Sequence, residues 1–228
     1  IYQFQNDSSQ ISQINEPQKS QPLTINSPMT VGMMAGQWCP HGLDPDQPGD
    51  QQLEEAGSLI FDTQALEREL SILGAPRIRL EISSDKPNAM LAACLSEVFP
   101  DGRATRVSYG LLNLTHMNSH ENPELLTEGK KYTIVLKLNE AGHCFGVGNR
   151  IRLALSTVYW PIAWPSPERS TLTLGENGMS LMLPVRPDRS SDQVLKPYEE
   201  PEAAKPLAKT VIKEPEYKWR FERDMESE

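Results

Sequence analysis

Hydrophobic and polar positions alternate with a period of two through much of the middle of the chain. In residues 77–83, Ile78, Leu80 and Ile82 fall on one side and Arg79, Glu81 and Ser83 on the other. That pattern belongs to a strand with one buried face. Residues 131–138 repeat it, with Tyr132, Ile134, Leu136 and Leu138 in phase. Residues 90–99 form a more continuous apolar run, as a central strand covered on both faces would. The turn Pro100-Asp101-Gly102-Arg103 then leads into residues 105–114, and Asp-Gly between two such runs predicts a hairpin because Gly accepts the positive φ the turn needs. Residues 1–5, 23–25, 58–62, 150–158, 170–174 and 180–185 complete the predicted strands. Only residues 64–70 suit a helix, of about two turns.

Many short strands without interleaved helices predict an all-β sandwich or jelly roll, and they exclude a parallel α/β sheet. Residues 1–31 read as an N-terminal strand and polar connector, 32–187 as the sandwich, and 188–228 as a Pro- and charge-rich tail. That tail closes on a strand at 217–222, where Tyr217, Trp219 and Phe221 alternate with Lys218 and Arg220. Residues 32–49 are too rich in Pro and Gly for regular structure.

The chain has 228 residues and a net charge of −9, which argues against non-specific binding to nucleic acid or to an anionic membrane. It has no apolar run long enough to span a bilayer and no secretory signal pattern. Three cysteines, Cys39, Cys94 and Cys144, do not make a disulfide framework, so a reducing cytoplasm is expected. The first residue is Ile and the last residues are a charged run. Both ends read as cut, and an excised fragment is expected.

No constellation for catalysis is complete. A Gly-x-Ser-x-Gly nucleophile turn is missing from the sequence, and Ser83-Ser84-Asp85-Lys86 ends a strand instead of sharing a helix face. The metal-type spacings are Cys39/His41, His116/His120 and His143/Cys144. All fall in predicted loops or turns, so no metal and no cofactor are expected. Asp44, Asp46 and Asp50 lack the calcium-loop pattern.

The informative chemistry is apolar. Tyr159-Trp160-Pro161-Ile162-Ala163-Trp164 follows a predicted strand, and clustered Trp and Tyr mark either packing across the end of a sandwich or contact with a partner. Met33, Met34 and Trp38 occupy the other unusual loop.

The order of segments adds a resemblance. Pro48-Gly49-Asp50-Gln51, Leu73-Gly74-Ala75-Pro76, residues 97–103 with Phe99-Pro100-Asp101-Gly102-Arg103, Tyr109-Gly110-Leu111-Leu112, Gly148-Asn149-Arg150-Ile151-Arg152-Leu153 and Leu183-Pro184-Val185 recur in series. Over roughly residues 28–187 the chain resembles the C-terminal domain of CocE/NonD hydrolases of the X-Pro dipeptidyl-peptidase type. Asn149 departs from the His that the family more often carries before Arg-Ile-Arg. The resemblance implies a jelly roll of the galactose-binding-like type that packs on an α/β-hydrolase domain of the same chain. The Ser–His–Asp triad of such enzymes lies upstream, none of it maps here, and His41 is not the family's catalytic His. The implied role is a non-catalytic domain of a serine hydrolase that cleaves ester or peptide bonds through an acyl-enzyme, with a homo-oligomer admitted. Met33, Met34, Trp38, Tyr159, Trp160 and Trp164 are the expected surface toward that domain and its substrate pocket. The rival reading is a carbohydrate-binding β-sandwich module.

Overall fold

A computed structural model of the chain describes residues 2–5, 10–12, 22–36, 47–194, 199–200, 208, 210 and 212–213. Two compact units result, Ile1–Arg186 and Pro187–Glu228. In the second, the described part is a short 3-10 segment, Ser190–Val194, closed by Arg189 N donating to Asp192 Oδ2 at 3.2 Å. The expected strand at 217–222 falls outside the described residues.

The first unit is an all-β sandwich. Its strands are β1 (Tyr2–Gln5), β2 (Gln10–Ser12), β3 (Leu23–Ile25), β4 (Leu59–Thr63), β5 (Leu70–Gly74), β6 (Arg77–Ser84), β7 (Met90–Val98), β8 (Ala104–Asn113), β9 (Tyr132–Lys137), β10 (Ala141–Phe145), β11 (Arg150–Ser156) and β12 (Leu172–Met182). One sheet runs in the order β8-β7-β11-β4-β2-β1-β12-β6-β9, with β3 also on β12, and β5 pairs with β10 separately. All pairings are antiparallel except β2 with β4. The long sheet curls until its two ends meet: Asn139, just after β9, donates to Tyr109 O on β8 at 2.9 Å, and Ser108 Oγ donates to Asn139 O at 2.6 Å.

The alternation read from the sequence sets which face is buried. Ile78, Leu80 and Ile82 of β6 meet Leu91, Ala93 and Leu95 of β7 and Ile151, Leu153 and Leu155 of β11 in one core. Each fully buried aliphatic side chain there contributes roughly 1.5–3 kcal/mol.

Four expectations need correction. Residues 64–69 form no helix: Leu66 N donates to Asn149 O and Leu66 O accepts from Gly148 N, both at 2.8 Å, so a neighbouring turn takes the backbone groups a helix would pair internally. The strands β5 and β10 were not expected: Leu70–Gly74 begins at the last residue of the stretch read as a helix, and Ala141–Phe145 has Gly142 and His143 at its centre and no β-branched residue. Residues 170–174 and 180–185 are not two strands, because β12 continues through Gly175-Glu176-Asn177-Gly178 as an irregularity between Leu174 and Met179. Gly175 permits this, since a Cβ there would lie 2.1 Å from Glu81 Oε1. Finally, the polar stretch after the expected strand at 1–5 is not connector throughout, because β2 pairs with β1 and with β4 in the main sheet.

Candidate functional site

Strand β7 is buried along its whole length. One face feeds the main core. The other presents Met90 and Ala92, which pack with Val31, Ala35 and Tyr159 in a second cluster joined by Tyr109, Leu111, Ile162 and Ala163. The two unusual loops of the sequence therefore meet over the outer face of the sheet.

Their meeting point is backbone on backbone. Gly32 has φ +109°, and a Cβ on it would lie 2.3 Å from Trp160 O and 2.7 Å from Trp160 N. Only a glycine accepts both the conformation and the approach. Residues 28–36 are wound into tight turns, with Val31 N donating to Pro28 O at 3.2 Å and Ala35 N to Gly32 O at 3.0 Å. Met34 is fixed at both backbone polar groups: its O accepts from Gly49 N at 3.0 Å and from Gln51 Nε2 at 2.9 Å, and its N donates to the Glu54 carboxylate. A second link lies between Ser27 and Thr157, where each backbone N–H donates to the other's hydroxyl, at 2.9 and 3.0 Å.

The six residues expected at the surface are placed differently from one another. Met33 is 45% exposed and Trp164 81%, while Met34 and Trp160 are half-buried. Trp160 and Trp164 pair with ring centroids 4.8 Å apart, and Ala163 N closes the loop onto Tyr159 O at 2.9 Å. Tyr159 is only 3% exposed and faces inward. Its hydroxyl accepts from Arg106 Nη1 at 3.0 Å, the same nitrogen donates to Ala35 O at 2.8 Å, and its ring stacks on Tyr109 at 5.7 Å. It anchors the loop; Trp164 and Met33 carry the exposed apolar surface. Trp38 lies outside the described residues, as do Cys39 and His41. An open cleft of about 300 Å³ borders the loop, lined by Tyr109, Gly110, Leu111, Asn139 and Ile162.

Beneath the loops is an ionic layer that sequence reading did not find. Arg152 of β11 holds Asp62 of β4 in a bidentate pair, both contacts 2.6 Å, and reaches Glu55 with Nη1. Its hydrogen bond to Asp62 raises the guanidinium further above its usual range. Burial pushes Glu54 up, against hydrogen bonds from Met34 and Gly32 and the charge of Arg106. Burial likewise pushes Glu55 up, against Arg152. Cys94 is buried under the same layer, and desolvation drives its thiol up to about 11. Opposite charges at positions 55, 62 and 152 were visible in the sequence, but they are up to 97 residues apart, and only the pairing of β4 with β11 joins them.

Nothing in this arrangement is a nucleophile with a base. His143 Nε2 meets Glu97 Oε2 at 2.8 Å, and the other Glu97 oxygen accepts from Gly146 N and Asn149 Nδ2, both at 2.7 Å. Although burial opposes it, these hydrogen bonds hold the Glu97 carboxyl below the usual range. The departure at Asn149 thus has a structural job as a donor to a buried carboxylate. His116 and His120 face each other. Among the described residues no histidine bonds to a Ser, Thr or Cys side chain, and no three His, Cys, Asp or Glu side chains converge on a common metal position. Lys86, the lysine of the Ser-x-x-Lys sequence, is paired with Glu168 at 2.9 Å. No described helix is long and apolar enough to cross a membrane.

Residues 10–220 match the family described as the X-Pro dipeptidyl-peptidase C-terminal non-catalytic domain. The chain belongs to that family. The match includes β2 and most of the segment after Pro187, beyond the stretch in which the sequence motifs recur. The chain is 28% identical over 103 residues to the cocaine esterase of Rhodococcus sp. (strain MB1 Bresler), which is 45% of the chain and 18% of the esterase. In fold it is similar to an α-amino acid ester hydrolase, with TM-score 0.64 and 18% identity over 81% of the chain and 36% of that protein. It is also similar to an aminopeptidase from a marine sediment archaeon, Thaumarchaeota archaeon, with TM-score 0.66 and 14% identity over 82% of the chain and 36% of that protein. A CocE/NonD family hydrolase from Staphylococcus aureus gives TM-score 0.61 at 10% identity, over 81% of the chain and 36% of that protein. The domain therefore spans little more than a third of these solved hydrolases and under a fifth of the esterase.

Proposed function

We propose that this domain is the non-catalytic part of a CocE/NonD-type serine hydrolase that cleaves ester or peptide bonds through an acyl-enzyme. Its sandwich, of the galactose-binding-like type, packs on an α/β-hydrolase domain of the same chain. The loops at 28–36 and 159–164 face that domain and close one side of its substrate pocket. The observation that carries this reading is Trp164, an indole 81% exposed on a loop whose base is pinned by Tyr159 and Arg106. A large apolar ring held rigidly in water is costly unless something covers it. The free thiols of Cys94 and Cys144 agree with a reducing, cytoplasmic setting.

The test uses the full-length protein. Trp164→Asp and Met33→Asp should lower kcat/KM by about tenfold or more and lower the melting temperature of the whole protein, while the melting temperature of the isolated 228-residue domain stays unchanged. The isolated domain should hydrolyse neither esters nor peptides, and a serine-reactive phosphonate should label only the full-length protein. Turnover by the isolated domain that the phosphonate abolishes overturns the reading, as does a Trp164→Asp full-length protein with unaltered kinetics and stability. The exposed indole would equally suit a sugar-binding module, so saturable calorimetric binding to a glycan, lost in Trp164→Ala, decides for that rival.

A further inference from the structure

A pair of histidines at the end of β8 has no part in the surface described above. His116 closes a single 3-10 turn, Leu114–His116, and His120 follows four residues later. Their Nδ1 atoms stand 3.4 Å apart, and their ring centroids 5.5 Å apart, so the two nitrogens are turned toward each other while the rings diverge behind them.

That separation is long for a hydrogen bond between nitrogens, whose donor–acceptor distances cluster near ~3 Å. It equals the distance between two imidazole ligands of one tetrahedral zinc ion: with Zn–N of about 2.0–2.1 Å, nitrogens across a tetrahedral angle lie about 3.4 Å apart. The backbone that carries the two rings is tied down independently of them. Asn113 Oδ1 caps the turn by accepting from Thr115 N at 3.1 Å, and Leu114 N is held by Ala89 O at 2.9 Å. Ser119 Oγ accepts from Glu121 N and Asn122 N at 3.2 and 3.1 Å, and Glu124 N returns to Thr115 O at 2.9 Å. The rings are therefore brought together by a fixed loop, which reduces what a metal would have to order. His120 is exposed and His116 half-buried, so a hydrated ion can reach them. Each ring's described side-chain partner is the other ring, unlike His143, which Glu97 holds.

We propose that His116 and His120 form a two-histidine site for a divalent transition metal, with zinc the best fit, bound through both Nδ1 atoms. No third protein donor converges there among the described residues, so water or a donor group from another molecule completes the coordination. Imidazole nitrogen suits zinc, copper and nickel and discriminates against calcium and magnesium.

The experiment is calorimetric titration of the untagged domain with zinc chloride in a non-coordinating buffer, with histidine proton NMR recorded in parallel. One saturable equivalent is expected, with shifts in the His116 and His120 ring resonances and none at His143. His116→Ala and His120→Ala should each weaken binding by about tenfold or more. The double variant should abolish it with an unchanged far-ultraviolet dichroism spectrum, and magnesium should not compete. A site elsewhere is distinguished by Cys39→Ala with His41→Ala. Zinc binding lost in that variant and retained in His116→Ala/His120→Ala overturns the proposal, as does the absence of saturable binding in the unaltered domain.

Discussion

Ser27 and Thr157 lie 130 residues apart in the chain and exchange a reciprocal pair of hydrogen bonds, each backbone N–H on the other's hydroxyl. Both residues are buried. The exchange joins the start of the 28–36 loop to the start of the aromatic loop, so this small polar lock works beside the Gly32–Trp160 contact and Arg106 in tying together the two segments that carry Met33 and Trp164. Removing either hydroxyl leaves a buried N–H unpaired, which costs about 1–3 kcal/mol. Ser27→Ala and Thr157→Val should each lower stability by that amount in urea denaturation. The losses in the double variant should fall short of additive, because loosening one loop relieves the other. Single variants within a few tenths of a kcal/mol of the parent would show that the lock is not what holds the loops.

The lock also marks where sequence reading stops. The inward positions of β6 and β9 were legible, because period-two alternation reports directly which face is buried, as at Ile78, Leu80 and Ile82, and β7 was legible as a strand covered on both faces from its continuous apolar run. The aromatic loop was legible as an unusual segment, though not the opposite fates of its members. Tyr159 turns inward because its hydroxyl can reach Arg106, and nothing local in the sequence says so. The Gly175–Gly178 stretch signalled a turn but serves as a strand irregularity, since two glycines permit both and the strand β6 alongside decides. Long-range polar pairs such as Ser27–Thr157 and Arg152–Asp62 have no periodicity at all and appear only once strands are paired.

Acid should act on two groups of carboxylates in opposite directions. Glu97 has a folded value held below the unfolded one, so it contributes stability that is present above the unfolded value of about 4.3 and is lost as the pH falls through the lower folded value. Glu54 is raised by burial, so its ionised form costs stability at neutral pH, and that cost disappears as the pH falls through the raised folded value toward the unfolded one. Glu97→Gln should be less stable than the parent near neutral pH, and the gap should close below about pH 4. Glu54→Gln should be at least as stable as the parent near neutral pH and lose that advantage below about pH 4. Urea midpoints measured across the range check both signs.

Asn149 offers a milder test of the same cluster. Its amide donates to Glu97 Oε1 at 2.7 Å, and a neutral or charged imidazole also carries an N–H. Asn149→His should therefore cost less than about 1 kcal/mol, whereas Asn149→Leu, which leaves the buried carboxylate short of a donor, should cost about 1–3 kcal/mol. Thermal unfolding of the two variants side by side gives the comparison.

The described cysteines should differ sharply in reactivity. The thiolate is the reactive form. Cys94 is buried, with its thiol pushed up to about 11 by desolvation, while Cys144 is exposed. Alkylation of the native domain followed by peptide mass mapping should find Cys144 modified within minutes and Cys94 untouched until denaturant is added. Rapid labelling of Cys94 in the native domain would mean that the loops over β7 open far more readily than their hydrogen bonds imply.

Gly32 is the position where the two loops touch, and it tests whether their contact sets the aromatic surface. An alanine there meets two separate obstacles. Its φ of +109° is unfavourable for any residue with a Cβ, and the Cβ would sit 2.3 Å from Trp160 O, well inside van der Waals contact. The strain cannot be relieved by a rotamer change, because both obstacles involve backbone. Gly32→Ala should destabilise the domain by roughly 2–4 kcal/mol. The more telling readout is tryptophan fluorescence. If the loops separate to accommodate the methyl group, the Trp160–Trp164 pair at 4.8 Å loses its support, and the emission should shift and become more accessible to quencher while the far-ultraviolet dichroism of the sandwich persists. Trp164→Phe in the same background removes the signal of the exposed ring and assigns the change. A Gly32→Ala domain with parental stability and unchanged fluorescence would mean that the 28–36 loop does not bear on the aromatic loop, and the shared surface of Met33 and Trp164 would have to be given up.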